Sequence, residues 1–269
     1  MYFSAYQGRI FVYALRGGST NTVPGEPDLQ LKPKPSPDAK IVGGYIDKAR
    51  PHTVNHLITG FLGTEEIVLA AYDNGDVVAY YTKPIAELIF RKSPQGEGVV
   101  NNTRLLEAKK RSNEGQKYGM PKPFLHENVR KTAWGLAIHQ KSRLIGVSTN
   151  LREITVFALA LQSPESTQNA SPHPAEPLDD VEKRVRMRQR NWRIQVRVGP
   201  EADNLPNICF LDDDEGHAEK VCAIDIKGAV WVAHIWKPRQ PVTQIGIFDP
   251  GDIISQESSP QTSRFVYQS

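Results

Sequence analysis

The densest charge feature is Lys183-Arg-Val-Arg-Met-Arg-Gln-Arg190. It puts Lys183, Arg184, Arg186, Arg188 and Arg190 within eight residues, and Arg193 and Arg197 follow. A run of this kind can address a protein to the nucleus or contact phosphates. A solvated loop or an outer strand edge carries the same charges. Direct nucleic-acid contact is the least specific of these readings, because charge alone discriminates weakly. Ser-Pro occurs at Ser36, Ser93, Ser163, Ser171 and Ser259. A phosphate from a proline-directed kinase would add about −2 charge at each and could gate docking. Loops that are simply rich in Ser and Pro give the same pattern. Asp212-Asp-Asp-Glu215 has the carboxylates of a cation site but lacks the spaced ligands and glycine of a calcium loop. It falls where a hairpin must turn and reads as a solvated turn. The two cysteines, Cys209 and Cys222, have no metal-ligand or disulfide spacing and read as small buried thiols inside strands. No nucleophile elbow, phosphate loop, dinucleotide fingerprint or zinc-protease motif occurs, so no catalytic residue, metal or cofactor is expected.

Composition narrows the class further. The chain has 269 residues, a net charge of +3 and 39% hydrophobic residues. The mild charge does not argue for DNA binding. Sparse cysteine fits a reducing compartment, the cytosol (cytoplasmic) or the nucleus. No run reaches the roughly 18 apolar residues of a membrane helix, and Met1-Tyr-Phe-Ser-Ala-Tyr has neither part of a signal peptide. The expected setting is therefore away from membranes.

The elements that would position these residues follow a repeat. A tight turn followed by an apolar strand recurs at Tyr6–Tyr13, Asp73–Tyr80, Asn150–Phe157 and Ile226–Ala233, about 67 to 77 residues apart. Long-period self-similarity is the mark of a repeat architecture. Asn74-Gly75 is the strongest hairpin signal in the chain. The recurring strands are apolar on both faces. Ile10 and Val12, Val77 and Ala79, Ile154 and Val156, and Val230 and Val232 lie on one face. Phe11 and Tyr13, Val78 and Tyr80, Thr155 and Phe157, and Trp231 and Ala233 lie on the other. A half-exposed strand alternates; a strand apolar on both faces needs cover on both sides.

Stacked blades supply such cover. The expectation is an all-β, partial WD-repeat-like β-propeller of about three to four antiparallel blades over 1–248. Its parts are a blade end at 1–47 and blades at 54–111, 132–198 and 204–248. Loop insertions are expected at 16–40, 83–130 and 162–190, with a disordered tail at 249–269. Thr103 to Arg111 could form a short helix or an outer strand. Closed propellers need 4 to 8 blades, so the ring would be completed by other protein, or the chain is a fragment.

The units carry a family resemblance. Asn128-Val-Arg-Lys-Thr-Ala-Trp-Gly-Leu-Ala-Ile-His-Gln-Lys-Ser-Arg-Leu-Ile-Gly-Val-Ser-Thr-Asn, followed by Glu153-Ile-Thr-Val-Phe-Ala, resembles the fungal constitutive ribonucleotide-reductase transcription regulator family of large WD-repeat-like proteins. Val54-Asn-His-Leu, Glu65-Glu-Ile-Val-Leu-Ala and Gly75-Asp-Val-Val-Ala-Tyr-Tyr resemble the preceding family segment. Trp192-Arg-Ile, Gly199 to Ile208 and Ala218-Glu-Lys-Val resemble the next. The resemblance covers roughly 41–248. It implies nuclear control of ribonucleotide reductase genes, a link to the DNA-damage response, and service as a cullin-ligase adaptor. Partners would be transcriptional or ubiquitin-ligase proteins. His217 beside Gly216 resembles the Gly-His of WD repeats, although no Trp-Asp dipeptide closes a repeat. The alternatives are a truncated product without independent function, or a β-propeller enzyme. An enzyme should show ionisable residues matched between repeats, and no such set stands out.

Overall fold

The computed structural model describes residues 1–14, 25–42, 52–92, 119–160, 191–237 and 239–247. These form four antiparallel sheets and one α-helix. The first sheet has three strands, β1 (Tyr2–Tyr6), β2 (Arg9–Tyr13) and β3 (Leu29–Leu31). The second has β4 (Val54–Leu62), β5 (Glu65–Tyr72), β6 (Asp76–Tyr81) and β7 (Leu125–Asn128). The third has β8 (Ala133–His139), β9 (Leu144–Thr149), β10 (Glu153–Ala158) and β11 (Trp192–Arg197). The fourth has β12 (Asn207–Asp212), β13 (Ala218–Ile224), β14 (Ala229–His234) and β15 (Thr243–Ile247). Strands pair in chain order within every sheet, so each is an up-and-down meander.

Three apolar cores lie between consecutive sheets. Ile10, Val12, Leu29 and Leu31 of the first meet Val68, Tyr72, Val78 and Tyr80 of the second. Val77, Ala79 and Leu69 of the second meet Ile145, Val147 and Phe157 of the third. Ile154 and Val156 of the third meet Val221, Trp231 and Ala233 of the fourth. One face of the repeated strand in each of the first three sheets thus packs on the opposite face of the next sheet. In the two middle sheets both faces are covered: β5 and β9 are buried almost throughout. Among the described residues the end sheets are covered on one side only, and β14 alternates buried and half-buried residues. The expected two-sided burial is incomplete at Phe11, Tyr13, Val230 and Val232, which are half-buried.

Two stretches expected as loop insertions contain ordered elements. Within 16–40, β3 extends the first sheet through Val12–Leu29 and Ile10–Leu31 register, and a 3-10 turn spans Pro37–Ile41. Its Leu29 and Leu31 side chains are what the Gly- and Pro-rich composition concealed. Within 83–130, helix α1 (Thr82–Lys92) opens with Pro84 in its first turn, where a missing N–H costs nothing. Ile85 and Ile89, one turn apart, sink into the first core, and Thr82 Oγ1 donates to Glu66 Oε2 at 2.7 Å. The second sheet closes with β7, so it extends past 111 to Asn128. Thr103–Arg111, insertion 162–190 and tail 249–269 lie outside the described residues. The cysteines also depart from expectation. They face each other across the β12–β13 pair, with Cys209 exposed and Cys222 half-buried.

Candidate functional site

The chain entering each of the last three sheets is tied to that sheet's turn between second and third strands. Thr53 N donates to Asp73 Oδ1 at 2.8 Å, Asn150 N to Thr132 O at 3.2 Å, and Asp203 N to Asp225 Oδ2 at 3.2 Å. Asp225 also accepts from Lys227 N, Ala229 N and the Trp231 indole at 2.9, 3.0 and 3.0 Å. A carboxylate is suited to this place because the turn presents several backbone N–H donors that need an acceptor.

In the second sheet the same turn gathers a larger polar cluster. Gly75 adopts φ +82°, and a Cβ there would stand 2.6 Å from Lys131 O, so only glycine fits. The turn delivers Asp76, fully buried, and Asn74, 1% exposed. Asp76 Oδ1 accepts from Ser36 Oγ at 2.5 Å and Asn128 Nδ2 at 2.7 Å. Asp76 Oδ2 accepts from Ser36 N at 2.9 Å and Asn74 Nδ2 at 3.2 Å. Asn128 Nδ2 also reaches Asn74 O and Ser36 Oγ. His52 Nδ1 and His126 Nε2 each lie 3.8 Å from Asp76 Oδ2. His52 stacks on Tyr72 with ring centres 4.1 Å apart.

The electrostatics follow from these contacts. Burial works to raise the Asp76 pKa, but the neighbouring His126 imidazole and hydrogen bonds from Ser36 and Asn128 outweigh it and bring the carboxyl down to about 2. Burial lowers the His52 pKa against the pull of Asn74 and Asp76, and its Nδ1 accepts from Asn74 Nδ2 at 2.8 Å. Burial also pushes the Tyr72 hydroxyl far up and the Tyr80 hydroxyl to about 12. In a Ser-His-Asp triad a histidine stands between the serine and the carboxylate and takes the serine proton. Here Ser36 donates directly to Asp76, which is too acidic to take its proton. The arrangement clamps the segment after β3 onto the second sheet.

Beside the clamp is an open groove of about 340 Å³ lined by Arg130, Arg193 and Gln195. Arg130 Nε is 3.7 Å from Asp38 Oδ2, and Arg193 Nη1 donates to Asn128 O at 2.9 Å. Arg193 also stands over the Phe157 ring, 5.7 Å from its centre. Arg197 pairs with Glu153 at 3.4 Å. The acidic run at 212–215 forms a turn in which Asp213 Oδ1 accepts from Glu215 N and His217 N, while Asp212 meets His139 at 2.8 Å. Among the described residues no group of three or more His, Cys, Asp and Glu side chains is arranged for a metal ion.

No protein-family model and no curated protein matches this chain.

Of the candidate localisation and phosphorylation residues named from the sequence, only Ser36 enters the cluster. Lys183, Arg184, Arg186, Arg188, Arg190, Ser93, Ser163, Ser171 and Ser259 lie outside the described residues. Sequence reasoning missed Asp76, Asn128, His52 and His126. The Asn-Gly turn was the available signal for Asp76. Nothing local marks Asn128, because its role depends on β7 returning beside β6.

Proposed function

We propose that the chain is a non-enzymatic scaffold of the WD-repeat-like propeller type, working through protein–protein contacts. The observation that supports this most is the regular stack. Three consecutive four-stranded meanders pack face to face, and their first strands β4, β8 and β12 run beside one another. That is how blades converge on a propeller axis. The two end faces are the docking surfaces in this reading. One presents Tyr2, Tyr6, Phe11 and Tyr13, with Tyr6 63% exposed. The other presents Cys209, Leu211, Val230, Val232 and Ile245, with Ile245 63% exposed. Tyrosine, phenylalanine and aliphatic side chains left uncovered on a flat face favour a protein partner.

The biological setting we propose is the one the resemblance implies. It is nuclear regulation of ribonucleotide reductase transcription within the DNA-damage response, with transcriptional or cullin-ligase proteins as partners. Two experiments test it. Replacing Arg184, Arg186, Arg188 and Arg190 by alanine in a tagged full chain should reduce nuclear accumulation; unchanged localisation removes the targeting role of that run. Deleting the gene in its source organism should change ribonucleotide reductase transcript levels at rest and after DNA damage. Levels matching the parent strain in both conditions would sink the regulatory reading.

A further inference from the structure

Ser36 differs from the usual candidate phosphosite because its hydroxyl is already committed. It is half-buried, donates to Asp76 at 2.5 Å, and accepts from Asn128 at 3.3 Å. Its flanks are open: Lys32, Lys34, Pro35 and Pro37 are exposed, and Pro37 follows directly. Two guanidinium groups stand one link away. Arg130 holds Asp38, two residues further along the same segment, and Arg193 holds the carbonyl of the same Asn128 whose side chain touches Ser36. Between them lies the open groove with Gln195.

We propose that Ser36 is a phosphorylation switch, in which a proline-directed kinase converts the Asp76 clamp into a phosphate held by Arg130 and Arg193. The kinase transfers the γ-phosphoryl group of ATP to Ser36 Oγ. The bond from phosphorus to the ADP oxygen breaks, the bond to Oγ forms, and the Oγ proton is released. That proton passes to the kinase's base and then to solvent; in the unmodified chain it is the one Ser36 offers to Asp76 in their hydrogen bond. The ester therefore loses the donor and places about −1.5 to −2 charge against a buried carboxylate. Two like charges at that separation cannot share the site, whereas planar guanidinium groups bind phosphate bidentately. Asp38 competes for Arg130, and Glu127 and Glu153 lie near Arg193. A phosphate dianion outweighs a single carboxylate in that competition because it carries more charge and three acceptor oxygens. Release of Ser36 removes two donors from Asp76 and frees the segment that joins the first sheet to the second.

The test uses the whole chain, phosphorylated after folding with a purified proline-directed Ser/Thr kinase and ATP. Mass spectrometry should locate phosphate at Ser36. Hydrogen exchange should rise at least tenfold at residues 34–38 and at 74–76, and stay unchanged in β9 and β10. A phosphorus NMR titration should place the second phosphate ionisation below about 6, the value of an unconstrained phosphoserine. The Arg130→Ala/Arg193→Ala variant should return it to about 6 or above. Three outcomes overturn the proposal: modification of a 30–42 peptide but not of Ser36 in the folded chain, phosphate at Ser36 with unchanged exchange, or a wild-type ionisation at or above about 6. The wild-type readouts decide the matter even if the arginine variant does not fold.

Discussion

Asp76 is a fully buried carboxylate with four hydrogen bonds from side chains and backbone, and its behaviour with pH follows from them. Its folded pKa, about 2, is below the unfolded value near 4. A depressed carboxylate stabilises the fold fully above the unfolded pKa. That contribution is lost as pH falls from about 4 through about 2, where the folded state must also take up the proton. We expect the wild type to lose about 2 kcal/mol of stability across that window through this one group. Asp76→Asn should be less stable than wild type at pH 7 and show a flatter acid limb. Urea unfolding at pH 7, 4 and 2.5 measures both, and parallel curves for the two proteins would refute the assignment. Ser36→Ala removes a single donor to the same carboxylate. It should cost about 1–3 kcal/mol at pH 7, the range for leaving a buried charged acceptor short of one partner. His52 and Asn128 show why this cluster was hard to read in sequence. Each comes from a different segment, and only the pairing of β6 with β7 brings Asn128 to Asp76.

Two glycines on different strands separate close packing from free surface. Gly135 of β8 has its N–H bonded to Ser148 Oγ, and an added Cβ would stand 2.8 Å from Asn207 Cα and 3.0 Å from Pro206 O. The backbone at the start of β12 cannot retreat without disturbing Ser148, which donates to Leu205 O at 2.6 Å. Gly135→Ala should therefore destabilise by about 1–3 kcal/mol, the usual cost of overpacking. At Gly246 of β15 an added Cβ would meet nothing within 4 Å, so Gly246→Ala should stay within about 0.5 kcal/mol of wild type. Thermal unfolding of the two variants side by side decides it; equal shifts would contradict the close approach of β8 and β12. At this scale the sequence was most legible where apolar runs and turns coincide. The hairpin β5–β6 around Asn74-Gly75 and the strands β8 to β10 lie where their patterns put them. Helix α1 and strands β3 and β7 were concealed, because Lys83-Pro84 reads as a break and the two strands are three and four residues long. Such short strands owe their existence to the sheet edge that receives them rather than to their own pattern.

The first three sheets obey one packing rule: the Ile10/Val12, Val77/Ala79 and Ile154/Val156 faces each meet the opposite face of the next sheet. The periodicity of the sequence divided each repeated strand into two apolar faces, Ile154 and Val156 on one and Trp231 and Ala233 on the other, and the pairing of those faces comes from the structure. What periodicity could not supply is which sheet ends the stack, because an end strand and a middle strand carry the same apolar residues. By the packing rule the uncovered Val230 and Val232 form a face of the kind that receives a neighbour elsewhere in the chain. A charge placed there should separate folding from binding. Val232→Lys puts an ammonium on a half-buried, uncovered face, where the lysine stem can lie along the sheet and the head reach water. It should unfold within about 1 kcal/mol of wild type yet abolish retention of any protein partner captured by the wild-type chain. Val156→Lys, fully buried between the third and fourth sheets, should prevent stable folding because no partner or water is available for its charge. Circular dichroism melts give the first comparison, and partner capture on immobilised chain gives the second. If Val232→Lys collapses as Val156→Lys does, that face is already covered in solution. If Val232→Lys folds and retains every partner, the docking surface lies elsewhere on the molecule.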